Sequence, residues 1–341
     1  MLFLREVPPH LVEGVLSGIY KISGSVVREV SSGRGVGFLQ ETGLFQSLFS
    51  SAMRSAGATL QNGFSPLALV SVIQNQQIKS RLAEVQSTLS LLQNLQIGTL
   101  AVSGLGLGVS VTGFAIMLKR LKGIESHLGT IEAKIDRITK DRRSDDVRMI
   151  LADVGTQLDI VDTLSARSNK VGSAEAVERA LATSAGRLEA HFQQNTEAMQ
   201  MGPMTPADMD LLWSLAAAIR LCHEAGLRAL FTVDELEAGR QLAERRAQRF
   251  LEFSQTLTPD ALARLCAQGE LDVTSYTEAR RLALPQAEIL VQGLRDSVAS
   301  ISSQSELAHN LIESGISGSA YLAEVALEED APLLLLPSSA S

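Results

Sequence analysis

The sequence has few aromatic residues and few cysteines. Aromatic side chains make up only 4% of the 341 residues, whereas Leu, Ala, Ser, Glu, Gln and Arg recur throughout the second half, which is typical of helices. The two cysteines, Cys222 and Cys266, are far apart and outside any CxxC spacing. We therefore expect a mainly α-helical chain with two reduced, partly buried thiols and neither a disulfide framework nor a zinc site.

The sequence also lacks positive charge in excess and recognisable catalytic motifs. A formal net charge of −8 argues against general nucleic-acid binding, which depends on clustered Lys and Arg. The glycine-rich runs Gly33–Gly37 and Gly104–Gly108 continue neither as GxGxxG nor into GK[ST], and the histidines show no HExxH spacing. We expect no enzyme activity, no catalytic residue, no cofactor and no bound metal.

The first ten residues, MLFLREVPPH, do not combine a basic region with a long apolar stretch and a small-residue cleavage site. We therefore expect synthesis in the cytoplasm without a signal peptide. The stretch Gly18–Glu41 alternates in hydrophobicity, contains the turn cluster SSGRG at Ser31–Gly35 and resumes an extended pattern at Val36–Glu41. This pattern predicts a β-hairpin in a small N-terminal unit, residues 1–62, packed on an apolar helix at Leu44–Met53 or on a partner.

Residues 63–143 show two heptad patterns that predict long coiled-coil helical arms. Each arm has apolar residues spaced alternately by three and four. The first seam comprises Ile78, Leu82, Val85, Leu89 and Leu92, and the second comprises Leu121, Ile124, Leu128, Ile131, Ile135 and Ile138.

An apolar, glycine-rich segment at Ile97–Leu118 separates the two arms, and no charged residue occurs between Glu84 and Lys119. As a helix it would extend about 33 Å at ~1.5 Å per residue, enough for a bilayer core of ~30 Å. Its proposed membrane positions are Ile97, Leu100, Ala101, Gly104, Gly108, Val111, Phe114, Ala115 and Leu118. Its basic flank, typical of a cytoplasmic membrane face, is Lys119, Arg120 and Lys122.

Small residues within the segment, including Gly104 and Gly108, lie near one helical face and favour close helix association in a membrane. A helix buried in a soluble bundle is the alternative, because glycine is a poor helix former. The midpoint of the two seams falls at Gly108, so the chain could also fold back there. Over Ser65–Lys140 this architecture resembles the α-helical pore-forming toxins of the cytolysin A type. The resemblance implies long coiled-coil helices and a hydrophobic tongue that inserts after a shape change.

The rest of the sequence predicts a helical region at 144–202, a C-terminal helical domain at 203–330 and a tail at 331–341. A heptad break at Thr139–Asp146 predicts a new helix near Asp145, and linkers are expected at Arg167–Ser173 and Met199–Pro206. The tail is expected to be a loose end or a small docking patch. Helix starts are expected at Thr205, Thr232, Thr258 and Ser275.

Charged and aromatic side chains in this half have ordinary structural interpretations. Trp213 is expected in the core. The arginines Arg240, Arg245, Arg246 and Arg249 alternate with glutamates and are expected to form intrahelical pairs.

Taken together, these patterns predict a membrane-active helical effector whose apolar segment inserts into or oligomerises within a bilayer, with pore formation as one form of this activity. Its expected partners are membrane lipid and further copies of the chain, with a protein partner for a sensing C-terminal helical domain. The alternative is a soluble coiled-coil scaffold in which Ile97–Leu118 is buried.

Overall fold

The computed structural model describes residues 3–42, 137–199, 203–328, 331 and 333–338. In this part of the chain the protein is mainly α-helical with a small antiparallel sheet, which confirms the predicted fold class. The apolar segment 97–118, the basic flank, the first seam and the expected helix at Leu44–Met53 lie outside the described residues. The same holds for the second seam except Ile138, which lies in the first long helix.

The sheet has five strands in the order β1-β5-β4-β3-β2, and every neighbouring pair is antiparallel. The short helix α1 (Pro9–Leu16) follows β1. The strands are β1 (Arg5–Glu6), β2 (Tyr20–Ser23), β3 (Val26–Glu29), β4 (Gly35–Glu41) and β5 (Leu333–Pro337).

The helices that follow in the described chain are longer, and a 3-10 turn at Leu164–Ala166 separates the first two. They are α2 (Arg137–Asp162), α3 (Lys170–Met199), α4 (Pro206–Thr232), α5 (Leu236–Ser254), α6 (Pro259–Ala267), α7 (Val273–Glu313) and α8 (Gly318–Leu327).

The predicted hairpin is present but has one more strand than expected. Strands β3 and β4 pair across the Ser31–Gly35 turn, as predicted. The first arm is divided into β2 and β3, because Gly24 adopts φ +61° in a two-residue turn between Ser23 and Val26. Glycine tolerates this backbone conformation without a Cβ penalty, and two-residue turns of this kind join antiparallel strands.

The expectation of a loose C-terminal end is wrong. Residues Leu333–Pro337 form β5, which lies between β1 and β4 and is buried along Leu333–Leu336. Four consecutive leucines are buried because one side of the strand faces the helices and the other is also covered. The last described strand therefore completes a sheet whose other described strands come from the first 41 residues.

Two of the predicted helix starts are confirmed. Thr205 caps α4 in a reciprocal capping box with Asp208, and Thr258 caps α6 by accepting from the amide of Ala261. Each precedes a proline at the first helical position, where no amide hydrogen is needed.

Three other predicted starts are wrong. Thr232 is the last residue of α4, and its hydroxyl donates to the carbonyl of Arg228. Helix α7 begins two residues before Ser275, because the Asp272 carboxylate accepts from the amides of Thr274 and Ser275. Helix α2 runs through 139–146 without a break, since that stretch contains neither proline nor glycine.

Two hydrophobic cores share the same helices and join the described chain into one packed body. The larger core is formed by side chains of α2 to α7, on both sides of the Met199–Pro206 connection. It includes Trp213, as predicted. The smaller core joins the sheet, through Val26 and Phe38, to α4, α5, α7 and α8. Helices α4 and α7 contribute to both cores, so β4 and α2 belong to the same body.

Candidate functional site

The described residues contain two groups of interacting charged and polar side chains, one buried and one partly buried, and neither coincides with the predicted membrane segment, basic flank or heptad seams. The first, which we call the junction cluster, lies where the end of β4 meets α4 and α7. It comprises Glu41, Arg220, Glu224 and Ser300. The second, the interhelix cluster, lies among α3, α4 and α5 and comprises Glu178, Glu189, His223, Arg246 and Arg249.

Within the junction cluster, Arg220, Glu224 and Ser300 form a closed triangle of hydrogen bonds. Arg220 Nε donates to Glu224 Oε1 at 2.8 Å, and Arg220 Nη2 donates to Ser300 Oγ at 3.0 Å. Ser300 Oγ donates to Glu224 Oε1 at 2.9 Å. Both charged side chains are 3% exposed. This geometry stabilises the ionised form of Glu224 and offsets part of the cost of burying it.

Glu41, the last residue of β4, is in the opposite situation. It is fully buried, and neither carboxylate oxygen has a hydrogen-bond partner. Burial raises the pKa of Glu41 well above its ordinary value, and the negative charge of Glu224 adds to that effect, while Arg220 opposes it. A buried carboxyl without donors favours its neutral form.

The strand end that carries Glu41 is fastened by its neighbours. The Tyr321 hydroxyl of α8 donates to Gln40 Oε1 at 2.8 Å, and Thr42 Oγ1 donates to the carbonyl of Ala331 at 2.7 Å. Glu41 itself pairs with Leu333 in the ladder between β4 and β5. The junction cluster is therefore held in place from α4, α7, α8 and β5 together.

The interhelix cluster balances two carboxylates with two arginines. Arg246 Nη2 pairs with Glu178 Oε1, and Arg246 Nη1 donates to the carbonyl of His223 at 3.2 Å. Arg249 Nε contacts Glu189 Oε2 at 2.5 Å. The expectation of intrahelical pairs is thus wrong for Arg246 and Arg249, whose glutamate partners lie on α3. It holds for Arg240, which pairs with two glutamates of α5.

Burial also shifts the pKa values of the adjacent side chains His223 and Cys222. His223 Nε2 lies 3.5 Å from Glu189 Oε1, longer than a normal hydrogen bond, so burial dominates and lowers the pKa of His223. Burial raises the pKa of the Cys222 thiol to about 12. Cys222 therefore remains a neutral thiol rather than a nucleophile.

Other features of the described chain do not indicate a ligand. In these residues no group of three or more His, Cys, Asp or Glu side chains is placed to hold a metal ion. The depression beside α5, lined by Arg245 and Arg249 with neighbouring Glu and Gln side chains, is shallow and open. None of the helices in the described ranges is both long and apolar enough to cross a bilayer.

Comparison with known proteins gives no match to a protein family, to a curated protein or to a solved structure. The candidate sites consequently depend on their own geometry.

The junction cluster was not predicted, although the sequence contains one signal that indicates part of it. Arg220 and Glu224 are four residues apart in a stretch of α4 that is otherwise mainly apolar. An opposite charge pair at this spacing within an apolar helix indicates a buried ion pair. No local pattern indicates that Glu41 would join them, because that contact depends on how the sheet packs on α4.

Proposed function

We propose that this protein is a membrane-active helical effector in which the segment Ile97–Leu118 inserts into a bilayer and associates with the same segment of other copies. The described body remains outside the hydrocarbon core. The observation that carries the proposal is the absence of any charged residue between Glu84 and Lys119, followed directly by the basic flank Lys119, Arg120 and Lys122. A charged side chain at the centre of a spanning helix costs about 2.5–3.5 kcal/mol, so a long charge-free stretch favours insertion.

The packed body limits the topology of such an insertion. Strand β4 ends at Glu41, the described part of α2 starts at Arg137, and both elements belong to one body. A bilayer cannot pass between them while that body stays folded. The intervening chain must therefore cross the membrane an even number of times or return without crossing.

This constraint favours a segment that folds back near Gly104–Gly108 over a single span. A fold-back places the basic flank and the residues before Ile97 on the same side as the body. It also agrees with the symmetry of the two heptad seams about Gly108.

The first test is dye release from anionic liposomes, together with flotation, for the wild type and Gly108→Arg. The matched control is Gly186→Arg, because Gly186 lies in α3 with no other atoms within 4 Å of the position of an added Cβ. We expect leakage and flotation for the wild type and the control. Gly108→Arg should bind roughly 100-fold more weakly, the change that corresponds to about 2.5–3.5 kcal/mol.

The second test concerns the side of the membrane on which each flank lies. We introduce one thiol at a time, as Ser32→Cys or Ser168→Cys, in a chain that also carries Cys266→Ala. These positions are exposed and lie before and after the proposed membrane segment in the sequence, while Cys222 stays buried. A membrane-impermeant maleimide should label both positions equally in bound protein. Labelling of one and protection of the other would rule out the fold-back topology.

The soluble scaffold remains the competing interpretation, and the same experiment separates the two. A scaffold predicts no flotation and no leakage for the wild type. In that case Gly108→Arg should lower the melting temperature instead, by burying a charge in a packed core.

A further inference from the structure

We propose that the Glu41 carboxyl is a proton-dependent latch, which holds the end of β4 against α4 when neutral and releases it when ionised. The proposal starts from position and contacts. Glu41 is the last residue of β4, is fully buried and has no donor for either carboxylate oxygen. The latch concerns the folded body alone and does not require the proposed membrane function.

The geometry assigns the proton to Glu41 rather than to Glu224. Burial raises the pKa of Glu224 as well, but Glu224 accepts hydrogen bonds from Arg220 Nε and Ser300 Oγ, which stabilise its charge and oppose that effect. Glu41 accepts none. Arg220 therefore lies near the carboxyl groups of both Glu41 and Glu224, and it donates a hydrogen bond to Glu224.

The groups that act on Glu41 come from the elements packed around the strand end. Helix α4 contributes the charged groups Arg220 and Glu224. Helix α7 contributes the neutral hydroxyl of Ser300, which donates a hydrogen bond to Glu224. Tyr321 on α8 is titratable, but burial raises the pKa of its hydroxyl far above neutrality. It stays a neutral donor to Gln40. Opposite Glu41 in β5 is the apolar Leu333.

Loss of the proton would place two negative carboxylates beside one arginine in a fully buried site. The body can relieve this by moving the last residues of β4 into solvent. The contacts broken by that movement include the Glu41–Leu333 ladder pair, the Tyr321–Gln40 hydrogen bond and the hydrogen bond from Thr42 to Ala331. The latch requires only this local opening at the strand end, while the rest of the sheet keeps its pairing.

The test is amide hydrogen exchange of full-length protein from about pH 5 to pH 8, corrected for the intrinsic exchange rate. Peptides covering 38–42 and 333–337 report the strand end. In the wild type the opening constant should rise by up to tenfold per pH unit above the ordinary glutamate pKa, because opening releases one proton. Glu41→Gln should remove the pH dependence and keep the strand end closed.

Glu6→Gln is the matched control, since Glu6 lies on β1 of the same sheet and is exposed. It should behave as the wild type does. Two outcomes would overturn the latch. One is a flat wild-type profile with faster opening in Glu41→Gln, which would mean that Arg220 holds an ionised Glu41. The other is a pH dependence removed by Glu224→Gln but not by Glu41→Gln, which would place the proton on Glu224.

The wild-type profile remains informative even if Glu41→Gln does not fold. A protonated-carboxyl infrared band that persists at pH 7 in both the wild type and Glu224→Gln supports the latch, and its absence contradicts it.

Discussion

Replacing Gly24 with alanine tests how closely the sheet approaches the long helix α7. Gly24 forms the turn between β2 and β3 at φ +61°. An added Cβ would lie 2.5 Å from Ser303 Oγ and 2.8 Å from the carbonyl carbon of Ala299, and also against the Ala299 oxygen. Two of these atoms belong to helix backbone, so the clash cannot be relieved by turning a side chain.

Gly33→Ala is the matched control. Gly33 also has a left-handed backbone, at φ +69°, but no other atoms lie within 4 Å of its added Cβ. Its replacement should cost only the conformational penalty, about 1–2 kcal/mol. Gly24→Ala should cost this penalty plus ~1–3 kcal/mol for overpacking, about 2–5 kcal/mol in total.

Denaturant unfolding of the wild type and both variants measures the difference. The comparison isolates the approach of the turn to α7, since the backbone penalty is common to both variants. Equal destabilisation by the two substitutions would refute the packing of the β2–β3 turn on Ala299 and Ser303. The Ser25–Ser303 hydrogen bonds belong to the same contact and would be called into question by the same result.

Two further predictions concern the helices. The hydrogen bond from His191 lowers the pKa of Asp146, so its stabilising effect is present above the ordinary aspartate pKa and is lost as the pH falls through the lowered value. Asp146→Asn should therefore flatten the acid limb of a stability profile below about pH 4, and an unchanged limb would contradict this. Thr205→Ala removes the capping box with Asp208 and should cost about 0.5–2 kcal/mol in thermal or denaturant unfolding. A variant as stable as the wild type would show that this cap contributes little.

Local signals predicted the parts of the fold that local chemistry decides. Proline at the first helical position, preceded by threonine, identified the starts of α4 and α6 correctly. The Ser31–Gly35 cluster identified a turn between two strands. Each of these features depends on hydrogen bonds or backbone angles within a few residues.

The errors arose where residues distant in sequence decide the structure. The charge pattern around Asp146 suits a helix cap, yet this residue lies within α2 and contacts Arg187 and His191 of α3. The apolar run Leu333–Leu336 resembles a loose tail, because no neighbouring strand precedes it in sequence. Its partners, β1 and β4, lie about 300 residues earlier in the chain. Short apolar runs cannot be assigned to a strand by periodicity alone.

In the junction cluster, too, one part follows from local sequence and the other from residues distant in sequence. The spacing of Arg220 and Glu224 can be read from the sequence, but the burial of Glu41 beside them cannot. It requires β4 to be placed over α4, and that placement depends on the shared core of Phe38, Leu227 and Leu311. Burial of a carboxyl without a donor is a consequence of tertiary packing.

Strand β5 links the stability of the N-terminal strands β1 and β4 to that of the C-terminal residues. Because β5 lies between β1 and β4, the amides and carbonyls of β4 on that side are paired only when the last residues of the body are in place. Its four buried leucines contribute to the same sheet whose strand end carries Glu41. Loss of β5 would expose an apolar sheet edge and hydrate the Glu41 carboxyl at the same time. Strand β4, which precedes residues 43–136, is thus held in place by pairing with β5 near the C-terminal end of the sequence. A perturbation of β5 should therefore reach β1 and β4 through the two ladders of backbone hydrogen bonds that join it to them.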